Sequence, residues 1–252
     1  MAREYSGSGD PARSMELLWG LQERSKRGPK PKLTLEQITR TAIGITDAEG
    51  LDALSMRRVG DALGVTAMSL YSYVPGKAEL LDLMLDTVYG EFTDPGKGGW
   101  RERLEYVARE NWALYLRHPW LLQVANARPV LGPNTIAKYD HELRAIEGIG
   151  LGDIDMDLII ATLGNYVHGA VRAAIEAAQA VQQTGKTDVQ WWEEHAPLLE
   201  KVFDGERYPT ATRVGAAAGE EYNAPSDPLR AFEFGLRLLL DGVEAHLRNA
   251  TA

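Results

Sequence analysis

The sequence predicts an all-α fold, with a three-helix unit near the N-terminus and a larger helical domain behind it. Three observations carry that expectation. Apolar residues recur at helical spacing almost everywhere: Leu35, Ile38, Ala42 and Ile45 follow i, i+3, i+7, i+10, and Phe232, Leu236, Leu239, Val243 and Leu247 follow i, i+4, i+7, i+11, i+15. Alternating strand patterns are scarce, and no repeat of about 20 to 50 residues is visible. Finally, two short apolar-striped segments flank Gly64, where the backbone freedom of glycine permits a sharp turn.

The elements follow in chain order. Residues 1–14 are polar and expected to fray, while Met15, Leu18, Trp19 and Leu21 have the spacing of a short amphipathic turn that docks on the body. Thr34 and Gln37 have the spacing of a capping box and Gly50 follows Glu49, so the first helix spans 34–49. Ser55–Leu63 ends at Gly64, and Thr66–Tyr73 ends at Pro75 and Gly76, after which Lys77 opens a helix to Phe92. Further helices are predicted at Trp100–Arg117, Trp120–Ala127, Asn134–Gly148, Asp153–Gln183, Asp188–Val202 and Leu229–Asn249. Gly205, Pro209, Gly215, Gly219 and Pro225 with few large apolar residues predict a long loop over 204–227.

At 252 residues, with 44% hydrophobic and 25% charged, the chain has the composition of a globular protein and length enough for a core. There is no cysteine, which removes disulfides, zinc-thiolate sites and thiol nucleophiles together. The longest apolar runs, such as Leu158–Leu163 and Leu236–Leu240, fall far short of the roughly 20 residues that span a bilayer. Residues 1–20 lack the apolar stretch of a signal peptide. A cytoplasmic chain with no membrane partner is expected. The net charge of -9 is unevenly spread: residues 24–80 hold nine Lys/Arg against six Asp/Glu, and residues 81–252 hold sixteen against twenty-six. A modestly basic unit joined to an acidic one reads as a polyanion-binding head on a body that avoids DNA.

Residues 56–73 are the informative segment. Val59 and Leu63 lie on one face of the first short helix, Val65 packs beneath the turn at Gly64, and Leu70 and Val74 continue the buried face. Two short helices joined by a glycine turn describe a helix-turn-helix, whose second helix enters the DNA major groove. Thr66, Ala67, Met68, Ser69, Tyr71, Ser72 and Tyr73 surround the remaining faces, small or hydroxyl-bearing and suited to phosphates and base edges. One tyrosine of the pair is readily a core residue; two are less so. Lys77 stands at a helix start, where its ammonium and the unpaired backbone N–H groups meet a phosphate. Upstream, residues 24–32 carry five basic residues, Arg27 among them, interrupted by Gly28, Pro29 and Pro31, which predicts a non-helical arm along the backbone or minor groove.

The run from Arg57 to Val74, followed by Gly76, Lys77 and the helix Ala78–Met84, resembles the DNA-binding domain of TetR-family transcriptional regulators. The Leu70-Tyr71-x-x-Val74 core and the following Lys77 carry most of the likeness, which is strong over 33–86 and weaker through a remainder that looks like the tetracycline-repressor type of C-terminal domain. The resemblance implies a homodimeric repressor that reads a palindromic double-stranded operator and is released by a small-molecule effector. It also implies that Arg57 reads a base, that Ser55, Tyr71, Tyr73 and Lys77 hold phosphates, and that Thr66, Ala67, Met68, Ser69 and Ser72 face the groove. Ser72 and Tyr73 replace the tetracycline repressor's Trp-His pair, so its operator sequence does not carry over. The chain then divides into an arm segment at 1–32, a reading head at 33–80 and a regulatory and dimerisation domain at 81–252.

In the acidic part, the stripe Leu163, Val167, Val171 and Ala174, the small residues beside it, and a final helix apolar on more than one side suit a two-fold four-helix interface. Aromatic residues concentrate there as well, which suits an apolar cavity with a few polar anchors; the lining is expected from Val107, Asn111, Trp112, Tyr115, Tyr139, Asn165 and His168. The drug-contacting His and Asn of the tetracycline repressor align with Thr93 and Val107, so tetracycline itself is not expected. No two histidines lie three or four residues apart, so no helical two-His metal site is expected, and no cofactor is called for. An enzyme is disfavoured by the lack of a P-loop, a Gly-x-Gly-x-x-Gly or a Gly-x-Ser-x-Gly motif. A helical small-molecule-binding protein without specific DNA binding is the alternative, opposed by Arg57, Tyr71 and Lys77; a nonspecific architectural binder is opposed by the acidity outside the head.

Overall fold

The computed structural model describes residues 4–21, 33–93, 96–125 and 128–250, and the expected all-α architecture is present. Its only departure among these residues is one two-residue parallel pairing, β1 (Glu4–Tyr5) on β2 (Val124–Ala125). Within the stretch expected to fray, the described residues from Glu4 onward form β1 and the start of a helix. Asp10 caps α1 (Pro11–Leu18) by accepting from the Ala12 and Arg13 N–H groups at 2.9 and 3.0 Å, and Ser14 and Leu17 are buried. Pro11 at the first helical position has no N–H to leave unsatisfied.

The head has α2 (Leu35–Glu49), α3 (Met56–Leu63), α4 (Ala67–Leu70) and the start of α5 (Lys77–Tyr89). The Thr34 capping box forms in both directions, and α2 ends at Gly50 with φ at 86°. Ile38, Ala42, Val59, Leu70, Val74 and Leu80 are sealed in its core. The second short helix is half the expected length: regular α-structure stops at Leu70 and a turn covers Tyr71–Tyr73, because Pro75 disfavours helical backbone at Val74. Likewise α5 stops at Tyr89 with Gly90 behind it, short of Phe92.

The body comprises α6 (Trp100–Arg117), a 3-10 turn at Pro119–Gln123, α7 (Pro133–Arg144), α8 (Asp153–Thr184), α9 (Asp188–Val202), α10 (Pro209–Tyr222) and α11 (Pro228–Ala250). Two expectations fail here. The helix expected over 120–127 is a 3-10 turn running into β2, since β1 offers this backbone partners that a one-turn helix could not match. The loop expected over 204–227 contains α10: Pro209 starts it, Ala211 and Ala216–Ala218 favour helix, and Asn223 closes it in the left-handed region at φ 46°. At 32 residues α8 is also long and apolar enough to cross a bilayer, which reading uninterrupted runs alone did not show; its buried face, Ile160, Leu163, Val167, Val171 and Ile175, packs against α6 and α11 or under the 3-10 turn.

The acids of α5 tie the molecule together. Glu79, Asp82 and Asp86 are all buried at i, i+3 and i+7. Asp86 accepts from the Thr135 N–H and hydroxyl at 2.8 and 2.9 Å, capping α7 from outside, and a Cβ on Gly132 would collide with it. On the head side, His118 sits between Asp47 of α2 (Nδ1 to Oδ1, 2.7 Å) and Glu91 beyond α5 (Nε2 to Oε2, 3.2 Å), and Trp120 donates to Asp47 at 2.8 Å. Head and body thus share side-chain hydrogen bonds.

Burial pushes the Asp82 carboxyl above its ordinary 3.8, with the Glu79 charge adding, against hydrogen bonds from the Gly7 N–H and Ser14 hydroxyl that lower it. A raised carboxyl contributes its stability below the unfolded value and loses it as pH rises through the folded one. Asp82→Asn keeps an acceptor for Gly7 and has a donor for Ser14. The variant should therefore melt higher than the native chain at neutral pH, the gap closing as pH falls toward 3.8. Thermal melts across about pH 3 to 8 measure it, and a gap of constant size would refute the cause assigned to the shift.

Candidate DNA interface and ligand cavity

Local chemistry presents the reading surface. Ser55 caps α3, accepting from the Arg58 N–H at 3.1 Å, and Thr66 caps α4, accepting from the Ser69 N–H at 3.3 Å. Thr66 and Ser69 share a hydrogen bond at 3.0 Å, and Ser72 donates to the Ser69 carbonyl at 2.7 Å. The Ser72 hydroxyl has therefore spent its proton and offers lone pairs, which suits base amino groups rather than carbonyls. Met68 stands 77% exposed at the tip, with Thr66, Ser69, Tyr71 and Ser72 exposed around it and Ala67 half-buried. The two tyrosines part company: Tyr71 is exposed, whereas Tyr73 is half-buried against the head core.

The two adjacent arginines differ as well. Arg58 is held by Glu49 at 2.5 and 3.3 Å, while the Arg57 side chain is 90% exposed with only a loose 3.9 Å contact to Asp61. Arg57 is thus the one that can reach outward. Lys77 opens α5, whose N-cap Gly76 brings no side chain to the first-turn N–H groups. Arg27 and the rest of the basic arm lie outside the described residues. Sequence reading missed Gly60: a Cβ there would stand 2.8 Å from the Val65 carbonyl oxygen and 3.2 Å from the Ala67 nitrogen, so this glycine sets how closely α3 and α4 approach. A lone glycine inside an amphipathic helix was the available signal.

In the body a cavity of about 780 Å³ opens between α5, α6, α7, α8 and the segment 121–131. Val107, Asn111, Tyr115, Tyr139, Asn165 and His168 all line it. Trp112 does not: its ring stacks on Phe232 at 4.3 Å and belongs to the core between α6 and α11. The expectation for Trp112 is corrected, since α6 turns that side chain away from the face that carries Asn111 and Tyr115.

Beside the expected polar residues, the lining carries a buried ion pair that sequence reasoning did not name. Glu142 accepts from Asn111 at 2.8 Å and pairs with Lys138, whose ammonium lies 5.7 and 5.2 Å from the Tyr89 and Phe92 rings. Tyr139 donates to Asp157 at 2.6 Å, and Tyr115 meets His168 edge to face at 5.5 Å. Burial pushes the Tyr115 hydroxyl up to about 12 and the Tyr89 hydroxyl higher still, with Glu142 adding to both, so both stay neutral and able to donate. The i, i+4 spacing of Lys138 and Glu142 was visible in the sequence but reads equally as an exposed helix pair.

Comparison with known proteins bears on both sites. The family described as bacterial regulatory proteins, tetR family, matches residues 38–84, and the tetracyclin repressor-like C-terminal domain matches residues 92–247. The HTH-type transcriptional repressor DrrR1 of Streptomyces coeruleorubidus is 48% identical over 244 residues, covering 96% of this chain and 88% of that protein. Apo ActR of Streptomyces coelicolor superposes with a TM-score of 0.70 at 30% identity, over 88% of this chain and all of that one. ActR in complex with actinorhodin gives 0.71 at 30% identity, over 85% and 97%. Matched by family models in both parts and by a repressor along nearly its whole length, the chain belongs to the TetR family of bacterial transcriptional regulators.

Proposed function

We propose that this chain is a repressor whose homodimer grips a palindromic operator and lets go when a mostly apolar small molecule fills the cavity between α5, α6, α7 and α8. One observation carries the reading: α5 begins at Lys77, shortly after α4 of the head, and ends with Tyr89 in the cavity wall, so one largely buried element runs from the head to the cavity. A ligand that favours a different seat for Tyr89 changes the aim of the head, and a ligand that binds both states equally changes nothing. The ActR complex with actinorhodin supports a cavity of this kind holding a small molecule. The stripe Leu163, Val167 and Val171 expected at the two-fold interface is buried within the single chain, and Ile154 and Leu158 on α8 with Phe234 and Leu238 on α11, all exposed there, support that interface instead. The role is regulatory rather than enzymatic and belongs in the cytoplasm, where the operator is, with no part for a membrane.

In this reading Arg57 reads a base, Ser55, Tyr71, Tyr73 and Lys77 hold phosphates, Thr66, Ala67, Met68, Ser69 and Ser72 face the groove, and Arg27 lies in the arm beside it. Val107, Asn111, Tyr115, Tyr139, Asn165 and His168 contact the effector. Gel-shift titration on the chain's own upstream DNA tests the first half. Arg57→Ala should cost about 1 to 3 kcal/mol and relax one operator position, whereas Lys77→Ala should weaken all sequences alike and lower the salt slope by about one. Indistinguishable specificity profiles for the two variants would remove the assignment, and a strict monomer by light scattering would remove the two-headed grip.

A further inference from the structure

We propose that residues 4–21 act as a strap that senses the ligand cavity and transmits its state to α5, a reading that rests on the function just proposed. The strap is bonded at both ends of its path. On the body side, β1 pairs with β2, the Ser6 hydroxyl donates to the Arg128 carbonyl at 2.9 Å, and the Trp19 indole donates to the Leu131 carbonyl at 2.9 Å. That segment is the cavity wall, contributing Leu121, Val124, Pro129, Val130 and Leu131 to the lining.

On the other side the strap holds α5. The Gly7 N–H and the Ser14 hydroxyl donate to the two oxygens of Asp82, each at 2.9 Å, and the Asp10 N–H donates to Glu79 at 3.0 Å. Glu79 stands two residues from Lys77, and Gly7 adopts φ 65°, a backbone shape that fixes the crossing. These bonds are buried or half-buried and join segments more than sixty residues apart in sequence, so they are tertiary links and not local turns. A wall pushed outward by a filled cavity pulls on the strap, and the strap pulls on the DNA end of α5.

A side chain grown into the cavity replaces an unidentified ligand in the test. Ala161 and Gly164 both line it, and a Cβ on Gly164 meets nothing within 4 Å. Ala161→Trp, or Gly164→Phe where the first does not fold, should speed amide exchange in peptides covering residues 4–14 and lower operator affinity by about tenfold or more. In a chain also carrying Gly7→Pro and Ser14→Ala, which takes both donors from Asp82 and breaks the crossing because proline cannot adopt φ 65°, the same filling should lower operator affinity by no more than about threefold. Should the cut chain fail to fold, Ser6→Ala with Trp19→Phe removes the two side-chain bonds to the wall and leaves only the β1–β2 pairing. Unchanged exchange over 4–14, or an equal loss of affinity with the strap intact and cut, overturns the strap. Faster exchange with operator affinity unchanged in the intact chain overturns the ligand-release reading itself, and the strap's part in it.

Discussion

Glu142→Ala should destabilise the protein by about 3 kcal/mol, the lower end of what breaking a buried ion pair costs. The argument starts from burial: the Lys138 and Glu142 side chains are 12% and 10% exposed, and the carboxylate is shared with Asn111. Removing it leaves the ammonium facing the Tyr89 and Phe92 rings and leaves the Asn111 amide one acceptor short, keeping only the Val107 carbonyl at 2.9 Å. A cation over two aromatic faces recovers part of that, and the cavity gives water a route to the rest, which places the loss at the lower end. The double variant Lys138→Met, Glu142→Leu should recover most of the stability, because two well-packed apolar side chains escape the desolvation cost that the pair carries. Urea unfolding of the native chain and these two variants measures both changes. A single-variant loss below about 1 kcal/mol would place the pair in the same class as a surface salt bridge and strip the cavity of its polar anchor.

That anchor was hidden from sequence for a physical reason. Helical spacing tells which residues share a face but not what lies opposite, so the i, i+4 spacing of Lys138 and Glu142 drew no notice, while Asn111, Tyr115 and His168 read as anchors on their residue type alone. The structure puts the ion pair and the anchors around one space. Trp112 shows the converse error: it neighbours Asn111 in sequence, and one residue along a helix turns a side chain by about 100°. Its indole therefore faces Phe232 instead of the cavity.

The helices themselves were largely legible, because capping at Thr34, the turn at Gly64 and the break at Pro75 are local events. What failed was where tertiary partners decide. β2 exists because β1 lies beside it, and nothing near Val124 announces residues more than a hundred positions away. The 204–227 misreading had a different origin: glycine and proline were counted as breakers without regard to position, although Pro209 opens a helix and Ala216–Ala218 continue it. The acids of α5 lie between these cases. Three carboxylates on the buried face of an apolar helix conflict with hydrophobic patterning, and that conflict is a signal that other segments supply donors to meet them, as Gly7, Asp10, Ser14 and Thr135 do.

The contrast between Gly60 and Gly64 gives the sharpest test of the reading head. Both flank the turn between α3 and α4, and sequence reasoning pointed to Gly64. Its left-handed φ of 68° strains any other residue, yet a Cβ there meets nothing within 4 Å. Gly64→Ala should therefore cost about 1 to 2 kcal/mol of stability through backbone strain while leaving α4 in place. Gly60 has the opposite character. Its backbone is ordinary helix, but a Cβ would press on the Val65 oxygen at 2.8 Å and the Ala67 nitrogen at 3.2 Å, and backbone atoms cannot rotate away as a flexible side chain can. Gly60→Ala can be relieved only by moving α4, the element that carries Met68 and Ser69. Overpacking of this kind costs about 1 to 3 kcal/mol per head, and if the proposed two-headed complex carries that cost in binding, the losses add to an operator affinity lower by a factor of roughly thirty to ten thousand. Titrating operator DNA with the two variants at equal salt, after light scattering has shown the same assembly for both, measures the difference. If Gly60→Ala binds the operator as tightly as Gly64→Ala, the close approach of α3 and α4 does not set the aim of the reading helix, and the head must tolerate a looser geometry than the one described.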